Sequence, residues 1–221
     1  NPEHTEMEHQ LRNWYQFPWL SGDHIEDTHI HNLDVVNWVL DAYPVKAQAM
    51  GGREIPYAEG KGGAMFDHHF VEFEYPGGII VSSQSRQING CHVQLGEYFT
   101  GTKGRLFSNT KKMFVKDLKG QEIYSYRDRD DPNPQQIEHN ELFAAIAAGE
   151  PVNDAEHGAL STMTSILGRL ASYSGKMLTW EEALNSSLSL APDRYALDAH
   201  PPVMPHEHGR YPLPVPGVYS L

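Results

Sequence analysis

The chain is poor in cysteine, in basic residues and in long apolar runs. It has one cysteine, Cys91, in 221 residues. That rules out an internal disulfide, and with it the small secreted scaffolds stapled by such bridges. Lys and Arg number 17 against 29 Asp and Glu, a net charge of −12 with His neutral. Such acidity argues against a nucleic-acid partner, which needs a basic face. One locally basic stretch, Lys103 to Lys119, reads as a solvated sheet edge, where lysine blocks pairing with other chains. A polyanion site there is the weaker reading. No apolar run reaches the length that spans a bilayer, so no membrane partner is expected. No signal-like start is visible. Asn1 is not the residue with which translation begins, so a longer parent chain is expected.

What is present is an ordinary globular balance, 39% hydrophobic and 21% charged, in a chain long enough for one large domain with a substantial core. The first stretch, Asn1 to Gly22, mixes charges with Trp14, Tyr15, Phe17 and Trp19 and has no clean period. It is expected to be irregular and to anchor the N-terminus by aromatic packing. Asp23 to Ala42 reads as a helix, with Ile25, Leu33, Val36 and Leu40 on one side and Tyr43-Pro44 as its stop. Strand-like runs follow at Val45–Met50, His69–Tyr75, Gly78–Ser85, His92–Gly101, Arg105–Asn109, Met113–Lys116 and Glu122–Tyr126. Phe70, Glu72 and Glu74 alternate with Val71, Phe73 and Tyr75, the two-residue period of a strand with unlike faces. Short connections favour antiparallel neighbours. Helices then read over Asn133 to Ala148 and Ala155 to Ser174, with a short third one capped by Thr179. Strands followed by helices, without steady alternation, indicate an α+β fold. The expectation is a large, mainly antiparallel open sheet with helices on one face, in a single domain over residues 1–200. Residues 201–221, with six prolines, form an extended tail.

The densest polar cluster is Asp23-His24-Ile25-Glu26-Asp27-Thr28-His29-Ile30-His31. On a continuous helix Asp27 and His31 share a face, with His24 seven residues before His31 pointing the same way. Histidine titrates near neutrality and can take a proton from an alcohol, and a nearby carboxylate stabilises the imidazolium. The plain alternative is an exposed helix-surface pair. His29-Ile30-His31 and Asp67-His68-His69 also carry metal-ligand types. On a helix, however, His29 and His31 diverge by about 200° and cannot share an ion. His68 and His69 read better as the start of a strand, and no metal ligands are assigned. Gly60-Lys61-Gly62-Gly63 does not continue as a dinucleotide fingerprint and reads as a flexible loop. Gly101-Thr102-Lys103-Gly104 reads as a turn between strands. No nucleophile elbow or activated-cysteine pattern occurs.

Gly22, Asp27, His31 and Asp34, followed by Val35-Val36-Asn37-Trp38-Val39-Leu40, resemble the Gfo/Idh/MocA oxidoreductase family. That family carries a Gly-x4-Asp-x3-His-x2-Asp element in its second domain. Gly101-Thr102-Lys103-Gly104-Arg105-Leu106 is similar to the family's G-x-x-G-x-L strand connection. The helix holding Ser161, Ser165 and Arg169, with Ser172-Tyr173-Ser174-Gly175-Lys176, resembles its penultimate helix, and Asn133–Pro151 the helix before it, so the resemblance covers most of the chain. Departures occur at Asp23, where the family often has a second glycine, and at Thr28-His29, in place of a commonly small pair.

The resemblance implies an N-terminal Rossmann domain that binds NAD or NADP and an α+β C-terminal domain; this chain resembles only the latter. The family's catalytic lysine, in a Glu-Lys-Pro element of the first domain, has no counterpart here. The implied parent is an NAD(P)-dependent oxidoreductase acting on a sugar, cyclitol or similar polyol. In it His31 would move the hydroxyl proton, Asp27 would bind and orient the hydroxyl, and His24 would shape the substrate pocket. The fragment alone is expected to hold no cofactor and to be inactive. Expected partners are the sugar-like substrate, the absent Rossmann domain and, through the open sheet face, further copies of the chain. Cytoplasm and periplasm both stay open. Three alternatives also stay open. They are a metal-dependent hydrolase or lyase using His29, His31, Asp67 and His68, a redox-assisted glycoside-cleaving enzyme of the same family, and a non-enzymatic interaction domain.

Overall fold

The computed structural model describes residues 4–54, 63–129, 131–206 and 209–221. The expected loop at Gly60-Lys61-Gly62 lies outside the described residues. Two compact units form, one of Asn1–Cys91 with Leu160–Leu221 and one of His92–Ala159.

In the first unit the N-terminal stretch is helical rather than irregular. Helix α1 (Glu6–Arg12) opens on a capping box, in which the Thr5 side chain accepts from Glu8 N and the Glu8 carboxylate accepts from Thr5 N. A 3-10 turn at Trp14–Gln16 and α2 (Pro18–Ser21), with proline at its first position, follow. Elements of one or two turns are too short to show a period, so caps and proline are their sequence signal.

The single helix expected over Asp23 to Ala42 is two, α3 (His24–Asp27) and α4 (Ile30–Leu40). Between them the ladder widens: His29 N bonds His24 O, five residues back, at 3.0 Å, and the next turn closes from Asn32 N to His29 O at 3.1 Å. The break lets the His29 ring reach Ser83, with Nε2 2.7 Å from Oγ.

The sheet of this unit has the order β3-β2-β1-β8, from β1 (Lys46–Gly52), β2 (His68–Tyr75), β3 (Ile79–Arg86) and β8 (Leu178–Thr179), all antiparallel. Strand β2 alternates as expected, burying His69, Val71, Phe73 and Tyr75. Helix α6 (Ala155–Ser174) lays Leu167, Leu170 and Ala171 into the same core. Gly168 permits the close approach, because a Cβ there would stand 2.9 Å from Phe73 Cζ and 3.1 Å from Ile25 Cδ1. A second capping box, Thr179 with Glu182, starts α7 (Trp180–Leu184). The proline-rich end is tied down where Tyr211 meets Phe17 edge-on at 4.9 Å and Gly217 N bonds Ser174 O at 2.7 Å.

The second unit is an antiparallel meander of β4 (Glu97–Gly101), β5 (Gly104–Asn109), β6 (Lys112–Asp117) and β7 (Glu122–Arg127), with α5 (Pro134–Ala148). The Gly101–Gly104 turn joins β4 to β5 as expected. The strand expected from His92 begins only at Glu97. Helix α5 is capped by Asn133 and Gly149 and buries no residue. The fold class is α+β with antiparallel strands, distributed over two four-stranded sheets. Among the described residues no helix is long and apolar enough to cross a membrane.

Candidate active site

Gly22 ends α2 in the left-handed region, and Asp23 follows at φ 100°. A non-glycine residue rarely adopts this conformation, and it persists only where the surroundings over-determine it. Here the carboxylate does so. Asp23 Oδ1 accepts from His24 N at 2.5 Å and lies 3.2 Å from His69 Nε2, while Oδ2 accepts from Phe66 N at 3.2 Å and from the Tyr173 hydroxyl. Four segments thus converge on one fully buried acid: the α3 start, the strand-entry segment at Phe66, β2 and α6.

Both imidazoles of this knot have serine partners on their far sides. His24 Nε2 lies 3.0 Å from Ser85 Oγ, and His69 Nδ1 lies 2.9 Å from Ser172 Oγ. Ser83 and Ser85 are two apart on β3 and paired in register with Val71 and His69, so they face the same way as the buried stripe of β2. Burial alone would raise the Asp23 carboxyl, but the close contacts and charges of His24 and His69 outweigh it and hold it below the usual carboxylate range. Burial drives His29 down to about 4, with the nearby His24 and His69 adding to the effect. On the next turn burial pushes Glu26 up to about 8, against the opposing charge of Arg169, whose Nη1 lies 3.2 Å from Oε2. Arg169 Nη1 also donates to Gly22 O at 2.9 Å, locking α6 to the α2–α3 corner.

The residues expected from sequence lie on both sides of this wall. His24 is buried inside the knot, only 2% exposed. Asp27, the last residue of α3, and His31, the second of α4, are both solvent-exposed. They are separated by the helix break, so the four-residue spacing that put them on one helical face does not apply. Asp27 Oδ2 accepts from Thr28 Oγ1 at 3.3 Å. Asp34 accepts from Ser161 of α6. The metal-ligand types at His29, His31, Asp67 and His68 are not gathered together. His68 Nδ1 lies 2.8 Å from its neighbour Asp67, and His29 turns to Ser83. Among the described residues one group of three ligand-bearing side chains lies within 4.8 Å, namely Asp23, His24 and His69.

Sequence reasoning missed Asp23 and His69 as partners. The signal was available for His69, since the alternation of β2 that buries Val71, Phe73 and Tyr75 also carries residue 69 inward. The Asp23–Tyr173 contact, 150 positions apart, had no local signal.

No family profile and no curated protein matches this sequence. Solved structures do. A UDP-N-acetylglucosamine 3-dehydrogenase from Acidithiobacillus ferrooxidans superposes with a TM-score of 0.56 at 16% identity, over 74% of this chain and 57% of that one. An aldose-aldose oxidoreductase from Caulobacter crescentus gives 0.55 at 17% identity, over 68% and 45%. The transcriptional regulator Gal80p from Kluyveromyces lactis gives 0.54 at 17% identity, over 76% and 49%. The chain therefore spans about half the length of the structures it resembles.

Proposed function

We infer that this chain, whose fold is that of the C-terminal half of Gfo/Idh/MocA-type oxidoreductases, is the substrate-side domain of an NAD(P)-dependent oxidoreductase that acts on a sugar-like hydroxyl. The observation that carries this reading is the fold likeness itself, to about half of enzymes whose names specify sugar chemistry. The sequence element Gly22-x4-Asp27-x3-His31-x2-Asp34 supports it from the other direction. Gal80p shares the fold, and a fold does not by itself carry a chemistry; the assignment of oxidation therefore leans on that element.

In this reading the exposed pair does the work at the substrate. His31, on the first turn of α4, takes the proton of the reacting hydroxyl, and Asp27 binds the substrate beside it, accepting from a neighbouring hydroxyl, and so orients the reacting one. The nicotinamide, held by the Rossmann half of the parent protein, supplies the hydride acceptor. His24 acts from behind the surface, fixing the α3 start on Ser85 rather than touching substrate. The buried knot around Asp23 keeps α3 in place so that Asp27 has a defined position.

The test is made in the parent protein. His31→Ala is expected to lower turnover by about 10²–10⁴-fold, the usual contribution of a general base, with cofactor affinity unchanged. Unchanged turnover would overturn the assignment. The 221-residue chain alone is expected to show no NAD or NADP binding, since its sequence carries no G-x-G-x-x-G fingerprint.

A further inference from the structure

We propose that Asp23, His24 and His69 form a binding site for one first-row divalent metal ion of the zinc class, through Asp23 Oδ1, His24 Nδ1 and His69 Nε2. The three ligand atoms lie within 4.8 Å of one another. Oδ1 is 3.1 Å from His24 Nδ1 and 3.2 Å from His69 Nε2. An ion about 2.1 Å from Oδ1 and from either nitrogen would subtend about 95–100° at these two separations, between the octahedral and tetrahedral angles of such sites. Two imidazoles and one carboxylate are also a ligand set such ions favour.

The independent observation is His24 Nδ1. It is buried and has no hydrogen-bond partner, although it stands 3.1 Å from the carboxylate oxygen. The contact is close but misaligned for an N–H donor. A lone pair directed at a shared ion satisfies it. Such a buried polar atom is costly when unpaired.

The surroundings have the form that metal ligands need. A ligating histidine donates its other ring N–H to an oxygen, which fixes the tautomer. Ser85 Oγ at His24 Nε2 and Ser172 Oγ at His69 Nδ1 stand in those places. The second carboxylate oxygen of Asp23 is held by Phe66 N and Tyr173 Oη, and Oδ1, which accepts from His24 N, is the oxygen that faces both imidazoles. Three protein ligands leave a fourth position for a water or another oxygen. The proposal does not rest on the oxidoreductase reading.

The test uses the full chain, stripped with a chelator and titrated with Co²⁺ as a coloured probe and then with Zn²⁺. The expected result is one Co²⁺ per chain with visible d–d bands, displaced stoichiometrically by Zn²⁺, and a raised Tm with either ion. His24→Ala is expected to weaken binding by at least about tenfold and Ser172→Ala by about tenfold. His139→Ala, on exposed α5, leaves it unchanged. A folded wild-type chain that takes up no ion refutes the proposal, as does binding that survives His24→Ala. If His24→Ala does not fold, X-ray absorption on the Zn²⁺-loaded wild type decides: two imidazole nitrogens support the site, and fewer overturn it.

Discussion

Tyr75→Phe tests how α4, the helix that carries His31, is held. Tyr75 on β2 donates to Asn37 Oδ1 at 2.6 Å, and Asn37 Nδ2 donates to Thr164 Oγ1 of α6 at 3.1 Å. Thr164 in turn donates to Leu160 O at 3.1 Å. Tyr75, Asn37 and Thr164 are all buried, so the chain of bonds joins sheet and two helices out of reach of water. Removing the hydroxyl leaves the Asn37 oxygen without its donor, and a buried unsatisfied acceptor costs about 1–3 kcal/mol. A loss of about 2 kcal/mol lowers the folded-to-unfolded ratio about 30-fold and the urea midpoint by about 1 M at an m-value of about 2 kcal/mol/M. Urea titration followed by circular dichroism reads this directly, with m unchanged. The double variant Asn37→Leu/Tyr75→Phe removes both polar partners and leaves Thr164 bonded to Leu160 O. It is expected to be no less stable than Tyr75→Phe alone, because the penalty lies in the unpaired group and not in the missing bond. A Tyr75→Phe protein within about 0.5 kcal/mol of wild type, the usual range of a neutral surface change, would refute the account.

Gly168→Ala is expected to cost about 1–3 kcal/mol by overpacking against Phe73 and Ile25, read as a lower urea midpoint; no change would mean that α6 shifts freely. His29 is held neutral by burial, with its folded pKa near 4 against 6.5 for the free side chain. Its stabilising share is therefore complete above about pH 6.5 and is lost as pH falls toward 4, by roughly 3 kcal/mol at most. Urea midpoints between pH 7 and 4 should show that loss in wild type and a smaller one in His29→Gln; equal slopes would exclude His29 as the source. Light scattering at micromolar concentration is expected to give a multiple of the 24.9 kDa chain mass, with Tyr98→Asp, at a 64% exposed position of β4, returning the monomer without unfolding it. A monomeric wild type would refute assembly through the sheet face.

Local pattern made the helices of the second half and most strands legible. Asn133 and Gly149 bracket α5, Thr179 caps α7, and the alternation of β2 separates Val71, Phe73 and Tyr75 from Glu72 and Glu74, because caps and two-residue periods act between near neighbours. The motif residues Asp27 and His31 were legible as types and spacing. Their relation was not, since a four-residue spacing means a shared face only on an unbroken helix. The break within Asp23–Ala42 goes together with the contact of His29 with Ser83, 54 positions away, which the local pattern does not contain. The buried knot belongs wholly to the tertiary structure. Asp23 reads in sequence as one more acid in a polar run. It becomes a fully buried anion only because β2 brings His69, and α6 brings Tyr173, to the same point. A buried carboxylate is tolerated only when every partner arrives together, and that condition is set by the packing of distant segments, which no local stretch of sequence encodes.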